Sequence, residues 1–128
     1  MFPANVKLSK NELLLVENAE VILTKNRIIK KVSELFGLLS SDYRNIIITS
    51  GGYLPSEVVA VPPKIYKGEQ YLMLPYVMLD YPRYFSKNGF FAIRTLFWWG
   101  NFMSVNVLIS GIYRDPRCTE SFELSSKK

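Results

Sequence analysis

Hydrophobic residues recur at helical spacing through the first part of the chain. Ser9 and Glu12 form the S-x-x-E pattern of a capping box, in which a hydroxyl and a carboxylate satisfy the free backbone amides of a helix's first turn. A helix is therefore predicted to begin at Lys10. No glycine or proline follows until Gly37, so nothing in the backbone preferences interrupts helical structure across this stretch.

The strongest helical pattern lies at about residues 25–39. Apolar residues recur there at steps of three and four, while lysine and glutamate occupy the opposite face. A seven-residue repeat crosses the expected break near Thr24, so the segment is predicted as two helices or as one kinked helix. The repeat consists of Leu15, Ile22, Ile29 and Phe36.

Loop signals follow this helical region. Ser40–Asp42 is expected to cap a short helix or strand over residues 43–49. Residues 50–55 contain a Gly-Gly pair and a proline, which predicts a connecting loop, since no G-x-G-x-x-G pattern or P-loop lysine accompanies them. Pro62 and Pro63 then force an extended link or a sheet edge, because proline cannot donate a ladder hydrogen bond.

From Lys64 onward the pattern changes from helical to extended. Residues 66–71 are expected to form a turn or a bulge that leads into a strand over residues 72–80. That strand is apolar on both faces, so it is predicted to be buried on both sides for part of its length, with Pro75 at a bulge or a free edge. Tyr81-Pro82 is expected to end it.

The nineteen residues from Thr95 to Tyr113 carry no charge. A helix of that length could cross a bilayer. Two internal asparagines, the many β-branched and aromatic residues, and Gly100-Asn101 near the middle argue against such a span. A two-residue loop with glycine first matches the twist of paired strands, so a β-hairpin turning at Gly100-Asn101 is predicted instead.

In the predicted hairpin, the numbers of directly opposed residues sum to 201, and Trp99 lies opposite Phe102. The face expected to form the core pairs Trp98 with Met103, Leu96 with Val105, Arg94 with Val107, and Ala92 with Ile109. The other face pairs Phe97 with Ser104, Thr95 with Asn106, Ile93 with Leu108, and Phe91 with Ser110. This second face is predicted either as a small-molecule pocket or as an ordinary half-exposed surface.

Arg94 is the one charged residue on the expected core face. A buried guanidinium requires a partner, because an uncompensated charge costs several kcal/mol in a medium of low dielectric constant. Asp80 or Glu69 is the expected partner. If the register slips, or if the hairpin lies at the end of the sheet, the Arg94 side chain extends to water instead.

These patterns predict an α+β fold, with N-terminal helices packed on one face of a mostly antiparallel sheet formed by the C-terminal half. At 128 residues and 48% hydrophobic composition, the chain is expected to form one globular domain over residues 1–128. The helical part is placed at about 9–49, the sheet part at about 58–113, and a loose tail at about 114–128.

Composition removes several kinds of chemistry. The chain has no histidine, the commonest general base and metal ligand, and its single cysteine, Cys118, cannot form an internal disulfide. No catalytic residue, metal site or cofactor is therefore predicted. The net charge of +5 is scattered along the sequence, which favours a solvated surface over a nucleic-acid site. The N-terminus shows no targeting pattern, so a cytoplasmic protein without a membrane segment is expected.

The leading functional hypothesis is a non-enzymatic binding or protein-interaction module, with a homodimer or a protein partner. Its predicted interface residues are Phe97, Trp98 and Trp99. The alternative is an enzyme or binder for a small anionic or aromatic ligand at the sheet face, and the third hypothesis is single-stranded nucleic-acid binding on aromatic side chains. The candidate ligand-binding residues are Arg94, Asp80, Tyr76, Thr95, Asn106 and Trp98.

Overall fold

The computed structural model describes residues 6–51 and 54–114. Three helices precede a four-stranded antiparallel sheet, which confirms the predicted α+β class. The helices are α1 (Lys10–Glu17), α2 (Ala19–Thr49) and α3 (Ser56–Ala60). The strands are β1 (Lys64–Tyr71), β2 (Leu74–Ser86), β3 (Gly89–Trp98) and β4 (Phe102–Gly111), and a 3-10 turn follows at Ile112–Arg114. Cys118 and the predicted tail beyond Arg114 lie outside the described residues.

Helix α1 begins at Lys10, as the capping box predicts. The Glu12 backbone N–H donates to Ser9 Oγ at 3.1 Å, and the Ser9 N–H donates to Glu12 Oε1 at 2.7 Å. The predicted break at Thr24 is wrong. The helix ends before Asn18, whose backbone is extended and whose side-chain Oδ1 accepts from the Glu20 N–H at 3.1 Å. An asparagine side chain can cap the next helix in this way, so the interruption falls there.

Helix α2 continues without interruption for 31 residues. The predicted second helix at 25–39 lies inside it, but the predicted cap at Ser40–Asp42 is wrong, because the helix runs on to Thr49. Ser40 Oγ donates to the Gly37 carbonyl at 2.8 Å, one turn back in the same helix. A serine hydroxyl bonded to its own helix leaves the helix intact and caps nothing.

The chain forms two compact units, one up to Lys31 and one from Val32 onward, with the boundary inside α2. In the first unit, α1 has no buried residue. In the second unit, Val58 of α3 packs against Phe91 and Tyr113 to form a buried core cluster. Partly buried residues packed on this cluster are Leu54, Tyr84, Ile93 and Ile109. The single-domain assignment stays a prediction.

The strands follow one another across the sheet in the order β1-β2-β3-β4, so β1 and β4 are its edges. The sheet begins at Lys64 and not near residue 58, because Ser56–Ala60 is helical. Leu72 and Met73 form the turn between β1 and β2, so the predicted strand start at residue 72 is wrong. Pro75 lies opposite the register shift between Gly68 and Tyr71, which confirms its predicted position at a bulge.

Strand β2 does not end at Tyr81-Pro82, contrary to the prediction. This peptide bond is cis, and β2 continues to Ser86. The register between β2 and β3 shifts between Asp80 and Arg83. A bulge leaves a residue out of the ladder, so a proline without an N–H can be tolerated at that point.

The β3–β4 hairpin is real, but its predicted register is wrong by one residue. The turn contains three residues, 99–101, and Trp98 lies opposite Phe102, so opposed residues sum to 200. The Asn101 N–H donates to the Trp98 carbonyl at 3.0 Å, and Gly100 has φ +75°. Since successive side chains alternate between faces, this slip exchanges the two faces of β4 relative to β3.

The exchanged register redefines the two faces of the sheet. The core face carries Phe91, Ile93, Thr95 and Phe97 of β3 with Met103, Val105, Val107 and Ile109 of β4. The opposite face, called here the Arg94 face, carries Arg94, Leu96 and Trp98 with Phe102, Ser104 and Asn106. The core cluster with α3 forms on the face of Phe91 and Ile93. The prediction that the Arg94 face forms the core is wrong. The incorrect register had placed the apolar residues of β4 on that face.

Candidate functional site

A row of polar residues crosses the Arg94 face from one edge of the sheet to the other. Lys64, Asp80, Arg94 and Asn106 lie directly opposite one another on the four successive strands. Directly opposed residues have neighbouring side chains on the same face. The sheet therefore brings together four polar groups that are far apart in sequence, and we call them the polar row.

An ion pair forms the centre of the polar row. Arg94 Nε donates to Asp80 Oδ1 at 2.8 Å, and Nη2 donates to Oδ2 at 3.0 Å. The Asp80 side chain is 5% exposed and that of Arg94 is 30% exposed. The hydrogen bond to Asp80 raises the pKa of Arg94, so the guanidinium stays charged. The predicted pairing of Arg94 with an acidic residue is confirmed.

Tyr66 provides a third hydrogen bond to the Asp80 carboxylate. Its hydroxyl donates to Asp80 Oδ2 at 3.2 Å and lies 3.1 Å from Met78 Sδ. Burial raises the pKa of Tyr66, and the nearby Asp80 charge raises it further. The Lys64 ammonium lies 4.9 Å from the centre of the Tyr66 ring, within range of a cation–π interaction. Both Asp80 oxygens thus accept hydrogen bonds from protein groups, as expected of a structural ion pair.

An aromatic cluster lies beside the polar row, near the two turns at residues 72–73 and 99–101. The rings of Tyr71 and Trp98 stack with their centres 4.6 Å apart, and Trp98 Nε1 donates to the Tyr71 carbonyl at 2.9 Å. Phe102 meets Trp98 edge-on at 5.5 Å, and Tyr76 meets Tyr71 edge-on at 6.1 Å. Tyr76 also covers Gly68, where an added Cβ would lie 2.5 Å from the ring. Aromatic pairs in these geometries stabilise the end of the sheet.

Five of the six predicted ligand-binding residues share the Arg94 face, namely Arg94, Asp80, Tyr76, Asn106 and Trp98. Thr95 does not. It lies opposite Val105 on the core face, and the predicted pairing of Thr95 with Asn106 is wrong because of the one-residue slip. Thr95 is 3% exposed, and its Oγ1 has no hydrogen-bond partner among the described residues. A ligand-binding role for any of the six stays a prediction.

The predicted interface residues do not form one surface. Phe97 lies on the core face, Trp98 on the Arg94 face and Trp99 in the turn. Phe97 and Trp99 are in edge-on contact at 6.3 Å. All three are partly buried, so the exposed apolar surface at the hairpin lies elsewhere, on strand β4.

Strand β4 is an edge strand with exposed apolar side chains on the core face. Met103, Val105 and Val107 are all exposed, as is Phe102 on the other face. Ten consecutive residue pairs join β4 to β3, and no described strand pairs with its outer side. The sequence pattern contains these apolar residues, but only the strand order reveals that they lie at an edge.

The turn between β1 and β2 is another feature that sequence reasoning missed. Leu72 and Met73 have φ values of +49° and +70°, and their exposed fractions are 72% and 84%. Bulky residues seldom adopt positive φ, and such turns normally contain asparagine and glycine. Nothing in the local sequence signals a turn there.

A cleft of about 710 Å³ opens in the second unit between the end of α2, helix α3 and Tyr81. Apolar residues such as Ile47, Val59 and Pro62 form most of its wall. Among the described residues that line it, Arg44 is the only charged one. No local pattern in the sequence predicts this cleft.

The described residues 6–51 and 54–114 contain no group of three or more His, Cys, Asp or Glu side chains placed to hold a metal ion. Within the same part of the chain, no helix is long and apolar enough to span a membrane.

No protein-family profile matches the sequence, and neither a curated protein nor a solved structure matches the chain.

Proposed function

We propose that this chain is a non-enzymatic protein-interaction module that binds its partner along the edge of β4. The proposal rests on the composition, the regular pairing and the exposed side chains of this edge. Its ten residues include no charge, no proline and no register shift, and three apolar side chains on its core face are exposed. Edge strands of soluble proteins usually carry such interrupting features, because a free edge readily pairs with another chain.

The opposite edge of the sheet provides an internal comparison. Strand β1 carries Lys64, Lys67 and Glu69, and its pairing with β2 shifts register between Gly68 and Tyr71. Charges and bulges of this kind prevent the addition of another strand. One edge is thus protected against pairing and the other is not, which supports a binding role for β4 specifically. Strand addition supplies affinity through main-chain hydrogen bonds and specificity through alternate side chains.

The two other functional hypotheses have less support. A small anionic ligand would need the Arg94 guanidinium, but two of its nitrogens already donate to Asp80. Single-stranded nucleic acid would need exposed stacking platforms, whereas Trp98 is stacked on Tyr71. In this proposal the chain acts in a reducing compartment such as the cytoplasm, which suits a protein whose only cysteine has no partner for an internal disulfide.

Site-specific photo-cross-linking tests the proposal. A photo-reactive amino acid is placed at position 105 on β4, and the matched control carries it at position 65 on the core face of the protected edge β1. After irradiation of cells that produce each variant, position 105 is expected to yield a discrete cross-linked product that position 65 does not. Products from neither position, or equal products from both, would contradict binding along β4.

A further inference from the structure

Resting on the proposed function, we infer that the partner at β4 is a second copy of this chain. The two β4 strands pair antiparallel about a two-fold axis centred on Val105, and the two four-stranded sheets join into one of eight strands. Three properties of β4 carry this inference: its lack of charge, the symmetry that such pairing imposes, and the order of its polar and apolar residues.

Charge distinguishes a second copy from a different protein. The chain carries a net charge of +5, so two copies repel wherever their charged surfaces meet. Residues 95–113 contain no charged side chain, so two β4 strands can approach without bringing like charges together. A different partner selected by electrostatic complementarity to a basic chain would place acidic groups opposite lysine or arginine. Strand β4 contains no lysine or arginine that could bind such a partner.

Symmetry determines which residues meet. Two identical strands pair antiparallel about an axis perpendicular to the sheet, and the contact is self-complementary, so residue i opposes j and j opposes i. Directly opposed residues lie on the same face. The core face of one copy therefore continues into the core face of the other, and the exposed Met103, Val105 and Val107 meet the same three residues of the second copy.

Residues 102–108 of β4 are palindromic in polarity about Val105. Centred on that residue, the pairs are Val105 with Val105, Ser104 with Asn106, Met103 with Val107, and Phe102 with Leu108. Within residues 102–108, every apolar residue thus opposes an apolar residue and every polar residue opposes a polar one. In the single chain, Asn106 Nδ2 donates to Ser104 Oγ at 3.0 Å, which shows that these two side chains are suited to hydrogen-bond each other. A strand with this order of residues is complementary to a second copy of itself across a two-fold axis.

Sedimentation velocity of the purified full chain over a range of concentrations tests the inference. The unmodified chain is expected to sediment as a dimer. Val105→Lys places two ammonium groups opposite each other at the axis and should raise the dimer dissociation constant by roughly tenfold or more. Ile46→Lys on α2 is the matched control, because it introduces the same charge at a residue exposed to 61%, against 60% for Val105. It should leave the dimer intact.

A charge-exchange mixture separates loss of the contact from loss of the fold. Val105→Lys and Val105→Glu are each expected to be monomeric alone and, when mixed, to form a mixed dimer, because opposite charges then meet at the axis. Circular dichroism of each variant should match that of the unmodified chain. Recovery on mixing requires folded chains with residue 105 at the axis, so an unfolded variant could not produce it.

Three results would overturn the inference. An unmodified chain that stays monomeric at every concentration excludes self-pairing, and a dimer that survives Val105→Lys uses another surface. Failure of the mixture to recover the dimer excludes an axis at Val105. If the chain is monomeric while position 105 cross-links a different protein, the second-copy inference fails and the proposed function stands. If position 105 also yields no product, both fail.

Discussion

The turn at Leu72 and Met73 should reduce the stability of the protein. Both residues have positive φ, and both side chains are mostly exposed, so they gain little from burial in return. The perturbation is the double substitution Leu72→Asn with Met73→Gly, which installs the residue pair that two-residue turns with positive φ prefer. We expect this variant to unfold less readily than the natural sequence.

The expected gain in the free energy of unfolding follows from the backbone preferences of the two residues. An L-residue in the left-handed region costs about 1–2 kcal/mol relative to the right-handed one. Glycine at position 73 removes most of that cost but adds about 0.5–1 kcal/mol of entropy to the unfolded chain. Asparagine at position 72 tolerates positive φ with a smaller entropy cost. After a small loss from the partly buried fraction of Leu72, the net gain in the free energy of unfolding is about 1–2 kcal/mol.

Equilibrium urea denaturation followed by circular dichroism measures this difference. In thermal unfolding of the same variants, a gain of about 1 kcal/mol should raise the melting temperature of a chain of this size by about 3–5 °C. The matched control is Leu72→Ala with Met73→Ala, which removes the same exposed side chains and keeps the left-handed cost, so it should not stabilise the protein. An Asn-Gly variant that is no more stable than this control would refute the argument from backbone strain.

Three further predictions test other parts of the fold. Arg94→Ala leaves the buried Asp80 carboxylate without its partner and should lower the unfolding free energy by about 2–4 kcal/mol, while Arg94→Met with Asp80→Leu should recover much of that loss in urea denaturation. Burial raises the pKa of Tyr113 to about 12, so stability should fall as pH rises from about 10 towards 12, and Tyr113→Phe should flatten this part of the pH profile. Gly111→Ala should cost at least about 2 kcal/mol because its Cβ would collide with backbone, whereas Gly100→Ala, with a similar φ and open space, should cost only about 1 kcal/mol.

Different outcomes would contradict each of these arguments. Equal losses for Arg94→Ala and for the apolar double variant would mean that Asp80 is not buried as a charge. A Tyr113→Phe profile identical to that of the unmodified chain above pH 10 would remove the tyrosine from the alkaline transition. Similar costs for the two glycine substitutions would mean that the close approach at Gly111 relaxes freely.

Local signals predicted the elements where a few neighbouring residues hold the relevant chemistry. The start of α1 depends on Ser9 and Glu12, which bond each other's backbone within one turn. The bulge opposite Pro75 follows from a missing N–H. The Arg94–Asp80 pair was predictable because a guanidinium inside a predicted sheet needs an acid, and Asp80 and Glu69 are the two acidic residues in the sequence of the sheet region.

Local signals failed where two structures have nearly equal local preference. Gly100 suits both a two-residue and a three-residue turn, so the sequence did not decide the register, and Thr95 was consequently placed on the wrong face. Ser40–Asp42 suits a helix cap as well as a helix interior, and the helix continued. The turn at Leu72 and Met73 has no favourable turn residue, and it forms because the strands on either side of it pair.

The sequence by itself determined the class of the fold, the helix that begins at Lys10, a hairpin that turns near Gly100-Asn101, and the need of Arg94 for an acidic partner. Each follows from residues within reach of one turn, one strand pair or one charge. Only the tertiary structure decided that Tyr66 and the polar row meet on one face, that Val105 lies on the edge strand of the described sheet, and that the opposite edge carries charges and a register shift. These are properties of strand order and register, which depend on contacts between residues distant in sequence, and no local preference specifies them.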